Sequence, residues 1–318
     1  MVTELVAQQA NARQSSGQPS SGQPSSEQKT STRRLMAVHA HPDDESSKGA
    51  ASYAYYVDRG AQVQVVSCTG GERGDILNES LPNRAMAERD LPGLRRLEMA
   101  AAQAVLGIDH RWLGYQDSGM PNEDGTVPPG SFADIPLEIS AEPLVRLIRA
   151  FKPQVLVTYD ENGGYPHPDH IRCHQVSVEA YHAAADPARY PDAGEPWQIS
   201  KLYYDRIFNY ERMSSMYNLL LETEPESPLL EQFEQMKRWS KEEPYLATTK
   251  VPSGAFFEAR DDALRSHASQ VSPDSSFFFW PNELQQRAWP YEDYQLVESK
   301  VETEMPETDL FAGIGDDS

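Results

Sequence analysis

Residues 35–45, LMAVHAHPDDE, combine an apolar run with imidazole and carboxylate groups that follow it within a few positions. His41 and Asp44 stand three residues apart, so one tight loop can aim a ring nitrogen and a carboxylate oxygen at the same ion. Asp43, between them, points elsewhere and stays free. Zinc with an open coordination position activates water near neutral pH, and Asp43 is placed to take that water's proton. The stretch therefore predicts a catalytic metal site at the end of a buried strand.

A second loop of the same kind follows more than a hundred residues later. Residues 159–170, YDENGGYPHPDH, again come after an apolar run, residues 155–157. Histidine and aspartate are also common in solvated loops that bind nothing, but two strands that each end in a His/Asp loop favour one shared site. In an open α/β sheet, ligands bind outside the carboxyl ends of the strands, where the strand order reverses. We therefore expect the two loops to meet.

The rest of the chain alternates between short apolar runs and helical patterns. Strands are predicted at 35–38, 63–67, 110–113, 154–158 and 201–207, and helices at 47–59, 92–106, 142–150, 170–184 and 261–270. The second of these helices ends at Gly107, a good C-cap, and carries apolar residues at helical spacing: Leu94, Leu97, Ala101 and Val105. This alternation predicts an α/β fold, a Rossmann-like and mostly parallel sheet with helices on both faces.

The chain is expected to form one compact unit between two tails. Residues 1–32 are rich in Ser, Gln, Gly and Pro, and we expect them to be disordered because they offer no apolar surface to bury. Residues 33–297 are predicted to be a single domain whose part from about residue 209 is more helical and walls the pocket. The acidic residues 298–318 are predicted to be a solvated tail. An aromatic cluster at 277–280 is interpreted as core, with a ligand platform as the alternative.

Charge and cysteine content exclude several classes of function. Asp and Glu number 49 against 28 Lys and Arg, giving a net charge of −21, and such a chain is repelled by nucleic acids and anionic membranes. Cys68 and Cys173 provide neither a disulfide framework nor a Cys-type zinc site, which favours a reducing cytoplasm. No stretch resembles a signal peptide or a membrane span. The sequence does not indicate an oligomeric state.

Four motifs resemble the zinc-dependent N-deacetylase superfamily called LmbE-like and, within it, the mycothiol S-conjugate amidases. They are HPDDESSKG at 41–49, TGGERGDILN at 69–78, DSG at 117–119 and TYDENGGYPHPDH at 158–170. The resemblance covers about residues 35–313. It implies a LmbE-like catalytic domain with a zinc ion bound by His41, Asp44 and His170. Ligands of N and O type also suit iron(II).

The same resemblance implies roles for the residues around the ion. Asp43 takes a proton from water, and His167, which is then not a ligand, protonates the leaving amine. Asp169 is placed to hydrogen-bond an imidazole and hold it protonated, or serves only as the N-cap of the helix that follows. Tyr165, beside two glycines, either turns its hydroxyl toward the oxyanion or packs within its loop. Both pairs of alternatives stay open.

Three residues are candidates for substrate binding. Glu72 lies just after a strand, where active-site loops belong, although Glu72 and Arg73 also suit a surface ion pair. Asp117 lies in a long Gly/Pro/Asp-rich connection, which is usually functional. Lys48 is expected near the first turn of a helix, where a cation is disfavoured. This energetic cost suggests that Lys48 has a function, which we expect to be contact with the N-acetylcysteine portion of a conjugate. The alternative is that Lys48 faces the solvent.

By resemblance, the chain is a metal-dependent hydrolase that cleaves the amide of mycothiol S-conjugates to a mercapturic acid and glucosaminyl-inositol, a detoxification reaction. The alternative is the deacetylase of N-acetylglucosaminyl-inositol in mycothiol biosynthesis. A third reading, a metal-dependent binding protein without turnover, is disfavoured because Asp43 and His167 are both present. A polar pocket beside an open apolar wall is expected for such conjugates. His39 is expected to be a buried, hydrogen-bonded histidine, and His110, His182 and His267 have no assigned role.

Overall fold

The centre of the protein is a seven-stranded sheet. The computed structural model describes residues 33–82, 84–239, 244–278 and 280–315. The strands are β1 Arg34–His39, β2 Gln62–Thr69, β3 Asp109–Tyr115, β4 Val155–Thr158, β5 Lys201–Asp205, β6 Thr249–Val251 and β7 Glu292–Ser299. Their order is β3-β2-β1-β4-β5-β7-β6. Strands β1 to β5 are mutually parallel, and β7 runs antiparallel to both of its neighbours. The predicted mostly parallel sheet is confirmed.

Helices cover both faces of this sheet. They are α1 Asp44–Ser47, α2 Ala50–Asp58, α3 Arg84–Arg89, α4 Leu91–Leu106, α5 Leu137–Phe151, α6 Pro168–Ala183, α7 Tyr210–Thr223, α8 Leu229–Trp239, α9 Phe257–Ser266 and α10 Asn282–Ala288. Leu35 and Ala37 of β1 pack in one apolar cluster with α2 and α4, whereas Met36 and Val38 pack in another with α5 and α6. Successive side chains of a strand point to opposite faces, and both faces of this sheet are covered. The sequence of β1 is therefore apolar without interruption from Leu35 to Val38. None of the described helices combines the length and apolarity that crossing a bilayer requires.

Strands β1 and β4 are neighbours although more than a hundred residues separate them. Leu35 pairs with Val155, and Ala37 with Val157, in parallel register. The chain proceeds outward from β1 to β2 and β3 on one side, and from β4 to β5 on the other, so the strand order reverses between β1 and β4. The two loops that follow these strands leave the same edge of the sheet at this switch point, where ligands bind in such folds.

The helix predicted at 47–59 is two helices in the structure. The single turn α1 ends at Lys48, whose N–H donates to the carbonyl of Asp44 at 2.8 Å, and α2 begins after Gly49. Gly49 has a φ of 113°, and a Cβ there would lie 2.5 Å from the Tyr53 hydroxyl, so this turn requires glycine. Lys48 therefore stands between two helices, as the C-cap of α1 and one residue before the N-cap of α2, and not in the first turn of one continuous helix.

The buried face of α4 differs from the apolar stripe in its sequence. Leu97 is 71% exposed, whereas Met99 is buried together with the charged residues Arg95 and Glu98. The two charged side chains are buried because loops from elsewhere in the chain supply their hydrogen-bond partners. The helix ends at Gly107, whose φ of 69° confirms the predicted C-cap.

The predicted solvated tail at 298–318 is wrong for the residues that the structure describes. Leu310 and Phe311 are buried in the same apolar cluster as Leu35. The carboxylate of Glu307 is buried and accepts a hydrogen bond from the buried ammonium of Lys201. The segment is buried because the buried lysine needs a carboxylate partner and because its apolar residues gain stability by leaving water. Its acidic composition gave no indication of this burial.

The part of the chain beyond residue 209 is mainly helical where it is described. Helices α7, α8 and α10 pack around a third apolar cluster that includes Met216, Phe233 and Leu284. The aromatic cluster at 277–280 divides, because Phe277 is 38% exposed while Trp280 packs edge-on against Phe233 at 4.5 Å between ring centroids. The predicted disordered residues 1–32 lie outside the described residues, as do residues 316–318.

Candidate metal centre

Three predicted ligands converge at the switch point of the sheet. His41 and Asp44 come from the loop after β1, and His170 comes from the first turns of α6. Their nearest ligand atoms all lie within 4.8 Å of one another. Nδ1 of His41 is 3.6 Å from Oδ2 of Asp44, and Nε2 of His170 is 3.3 Å from the same oxygen. Two imidazoles and one carboxylate around one point form a donor set that suits zinc or iron(II).

Both histidines use their second ring nitrogen on an acceptor, which orients the first toward the centre. Nδ1 of His170 lies 2.9 Å from the carbonyl oxygen of Gly163, and Nε2 of His41 lies 3.2 Å from Oδ2 of Asp169. This leaves Nε2 of His170 buried without a hydrogen-bond partner among the described residues. Metal-binding histidines are held in this way, so the residues present fit a divalent ion.

Asp44 is fixed as a carboxylate by several groups. Its Oδ2 accepts the backbone N–H of His41 at 3.0 Å, and its Oδ1 accepts the Lys48 ammonium at 2.5 Å. Burial alone would favour the neutral acid, but the charges of His170 and Lys48 hold the pKa of Asp44 well below its usual range. Lys48 is itself buried, so the alternative of a solvent-facing lysine is wrong, and its predicted contact with substrate stays a prediction.

Asp43 stands beside the predicted ligands in a strained conformation that its near neighbour Glu45 and the distant Arg95 support. Its φ is 98°, a region that non-glycine residues rarely adopt, and its N–H donates to Oε2 of Glu45 at 2.9 Å. Nη2 of Arg95 donates to Oδ2 of Asp43 at 3.0 Å and to the carbonyl of Pro42, and Nη1 donates to the carbonyl of Gly71. Burial raises the pKa of Asp43, and the charge of Arg95 opposes that rise.

Sequence reasoning missed both supports of this loop. Arg95 lies in α4, among residues that look like a solvated helix face. Glu45 is completely buried, and its Oε1 lies 2.7 Å from Nε2 of His267, which follows α9. The charge of His267 and its hydrogen bond overcome the effect of burial and lower the pKa of Glu45 to about 2. The only signal in the sequence was weak: His267 was a histidine with no assigned role.

The carboxylate of Asp169 binds His41 and not His167. Its Oδ2 also accepts the N–H of Ser118 at 2.9 Å, whereas Nδ1 of His167 accepts the backbone N–H of Asp169 as the N-cap of α6. Burial disfavours the cation of His41, but contacts with Asp117 and Asp169 and the charge of Asp44 raise its pKa to about 10.

His167 shows the opposite shift. Burial and the charge of His41 lower the pKa of His167 to about 4. Of the two alternatives for Asp169, the structure has the contact with an imidazole, and that imidazole belongs to His41, a predicted ligand. The N-cap of α6 is the His167 side chain, and proton donation by His167 stays a prediction.

Two of the three predicted substrate-binding residues meet beside His41. Asp117 is buried, with Oδ1 3.7 Å from Nε2 of His41. Its N–H donates to Oε2 of Glu72 at 3.1 Å, and its Oδ2 accepts the N–H of Arg73 at 3.0 Å. Glu72 thus braces the start of the long 114–136 connection, and binding of substrate by either residue stays a prediction.

Tyr165 lies at the mouth of the centre. Its side chain is 47% exposed, and its ring centroid is 4.4 Å from that of His170. Tyr165 is also part of the wall of a cavity of about 630 Å³ whose other walls come largely from the helical part beyond residue 206. His39, by contrast, is fully buried below the centre, with Tyr159 and Tyr53 hydroxyls at 3.1 and 2.9 Å from its ring nitrogens, as predicted.

Comparison with known proteins matches this region to a family. The sequence profile of the PIG-L family, GlcNAc-PI de-N-acetylase, matches residues 36–181, which include every predicted ligand and catalytic residue. The chain is 49% identical to the mycothiol S-conjugate amidase of Streptomyces coelicolor, over 90% of this chain and 98% of that protein. It is 39% identical to the 1D-myo-inositol 2-acetamido-2-deoxy-alpha-D-glucopyranoside deacetylase of Streptomyces scabiei, over 88% and 90% of the two chains. Among solved structures, the N,N'-diacetylchitobiose deacetylase of Pyrococcus horikoshii has a TM-score of 0.56 at 18% identity, covering 83% of this chain and 84% of that one, which shows a shared fold.

Proposed function

We propose that this chain, which belongs to the PIG-L family of LmbE-like deacetylases and amidases, hydrolyses the amide bond of mycothiol S-conjugates. The products are a mercapturic acid and glucosaminyl-inositol. The observation that carries this proposal is the convergence of His41, Asp44 and His170 with Asp43 and His167 beside them, in a chain 49% identical to an amidase of that name.

The chain's own residues supply positioning and proton transfer around the reacting amide. A zinc or iron(II) ion bound by His41, Asp44 and His170 would polarise the carbonyl and acidify water. Asp43 would accept the proton of the attacking water, with its carboxylate oriented by the Arg95 guanidinium.

His167 lies beside the centre, with its ring centroid 4.8 Å from that of His41, and would pass a proton to the leaving amine. Because its lowered pKa leaves it neutral in the free protein, it would take up that proton in the substrate complex. The Tyr165 hydroxyl would donate to the carbonyl oxygen as negative charge develops there. Asp169 would act through His41, whose ring it orients.

The substrate would lie across the centre with its two portions in different surroundings. Glu72 and Asp117, on the side of His41, offer carboxylates for sugar or inositol hydroxyls. Lys48 has donor capacity beyond its bond to Asp44 and would contact the N-acetylcysteine portion.

The buried and unbridged Cys68 and Cys173 support a reducing compartment.

The second candidate is deacetylation of N-acetylglucosaminyl-inositol. Relatives 36 to 40% identical carry the name of that deacetylase, and the same catalytic residues serve either amide. The two reactions differ on the acyl side, where an acetyl group needs little room. The cavity of about 630 Å³ beside Tyr165 offers far more room than an acetyl group requires, and this observation favours the conjugate.

One purified, metal-loaded sample assayed with two substrates tests the proposal. We expect kcat/KM for a bimane-tagged mycothiol conjugate to exceed that for N-acetylglucosaminyl-inositol by at least tenfold. The reverse preference would assign the biosynthetic deacetylation instead. Binding of either compound without turnover in the metal-loaded protein would support the third reading, a binding protein.

A further inference from the structure

The cavity beside the metal centre is continuous with the loops that hold the ligands. Ser47 and Tyr165 both line it. The hydroxyl of Ser47 donates to the carbonyl of Asp44 at 3.2 Å, and the ring of Tyr165 packs against His170. A group that extends from the reacting amide on this side therefore enters the cavity directly.

The walls of this cavity expose aromatic surface. Tyr165, Phe208 and Phe277 are 47%, 62% and 38% exposed, and in the part of the chain that the structure describes they are the large aromatic side chains left most open to solvent. All three line this one cavity, and the rings of Phe208 and Phe277 are tilted relative to each other, with 6.3 Å between their centroids. Single exposed apolar residues are ordinary, but aromatic surface collected in one concave place indicates a binding site for an apolar group.

Guanidinium groups form another part of the lining and favour a flat π-system over an aliphatic group. Arg212 and Arg260 both donate to Oε1 of Gln285 at 3.0 Å, which holds the two groups close together. Arg260 is paired with Asp261 and already lies over the Phe257 ring, 4.6 Å from its centroid, but within the described residues no carboxylate lies at ion-pair distance from Arg212, which therefore carries this argument. Planar guanidinium groups stack on aromatic faces and gain cation–π attraction there, which a saturated ring cannot provide.

We propose that this cavity receives the group carried on the sulfur atom and selects aromatic substituents. The inference rests on the proposed amidase function and adds its substrate class. In such a conjugate the sulfur belongs to the acyl portion, so its substituent leaves the metal centre on the side away from the sugar. Glu72 and Asp117 do not line the cavity, which keeps the polar subsite and the aromatic subsite apart.

Three conjugates that differ only on sulfur test the selection. S-benzyl and S-cyclohexylmethyl groups are similar in size, and S-methyl leaves the cavity empty. We expect kcat/KM to be at least tenfold higher for the benzyl than for the methyl conjugate, with the cyclohexylmethyl conjugate between them. Phe208→Ala should narrow the difference between the benzyl and cyclohexylmethyl conjugates, since it removes one aromatic wall.

A matched pair of variants tests the location. Leu246 lines the cavity and is 47% exposed, whereas Leu221 is 46% exposed and lies outside it. We expect Leu246→Trp, which adds bulk to one wall and narrows the cavity, to lower kcat/KM for the benzyl conjugate at least tenfold and for the methyl conjugate less than twofold. Leu221→Trp should change neither.

Distinct results would overturn the inference and the proposed function. Equal wild-type rates on all three conjugates, or an equal loss on benzyl and methyl in Leu246→Trp, would remove the cavity from substituent binding. Equal rates on the benzyl and cyclohexylmethyl conjugates would overturn aromatic selection. Failure of the metal-loaded wild type to cleave any conjugate would instead overturn the amidase function itself.

Discussion

Nζ of Lys48 lies 2.5 Å from Oδ1 of Asp44, and both side chains are buried. The other oxygen of Asp44 faces the two predicted histidine ligands. Lys48 thus contacts a predicted ligand directly, and it is also proposed to contact the acyl portion of the substrate. A substitution at Lys48 therefore reports on two roles, and the assay must separate them.

Lys48→Ala is expected to lower kcat/KM for a bimane-tagged conjugate more than tenfold, on the order of 1.4 kcal/mol of transition-state binding. Deacetylation of N-acetylglucosaminyl-inositol should change little, because that substrate lacks the oxygen atoms that the ammonium would contact. Both assays use protein of equal measured metal content. Equal losses on the two substrates would mean that Lys48 acts through Asp44, and no loss on either would remove it from the site.

Substitution of any one ligand, His41, Asp44 or His170, by Ala is expected to lower both bound metal and activity. Each is predicted to supply one of three protein donors, so an incomplete set would bind the ion more weakly. The measurement is metal analysis after anaerobic purification, which also identifies zinc or iron(II). His182→Ala is the matched control, since this histidine lies on the same helix as His170 with a half-exposed side chain. Full occupancy in His170→Ala would show that another residue completes the site.

Asp43→Ala and His167→Ala are expected to retain the metal and to lose turnover by about 10² or more, because each removes a group that moves a proton. The pH dependence of kcat/KM distinguishes their roles. Where the wild type gives a bell-shaped profile, loss of the base should remove the acidic limb and loss of the acid the basic limb. A bell that is unchanged in both variants would contradict these assignments.

Phe311→Ala is expected to lower the free energy of unfolding by about 3 to 5 kcal/mol, as for other buried aromatic residues. Phe311 is 1% exposed in the main apolar cluster, whereas Met305, six residues earlier, is 51% exposed. Met305→Ala should change stability by less than about 0.5 kcal/mol. Denaturant unfolding measures the free energy of unfolding of both variants. An equally small effect of the two substitutions would show that this segment is a solvated tail after all.

The sequence alone determined the five parallel strands of the sheet, but not β6 and β7, and it determined the edge at which the candidate ligands meet. Strands such as β1 are buried on both faces, so their apolar runs are visible locally. A His/Asp loop after each of two such strands predicts a meeting point, because parallel strands end at one edge and the strand order reverses there. The meeting of the His41–Asp44 loop with the His167–His170 loop could therefore be predicted before any contact was known, and the resemblance implied His170 as the ligand.

The tertiary structure alone decided which groups support that centre. Arg95 binds Asp43, and His267 binds Glu45 of the same loop, each from a distant part of the chain. Charged residues of this kind cannot be distinguished from surface residues in a sequence until their partners are known. The same holds for Glu307, whose acidic segment reads as solvated although it partners the buried Lys201. Apolar periodicity is a local property of the chain, whereas the burial of a charge depends on a partner that only folding brings within hydrogen-bond distance.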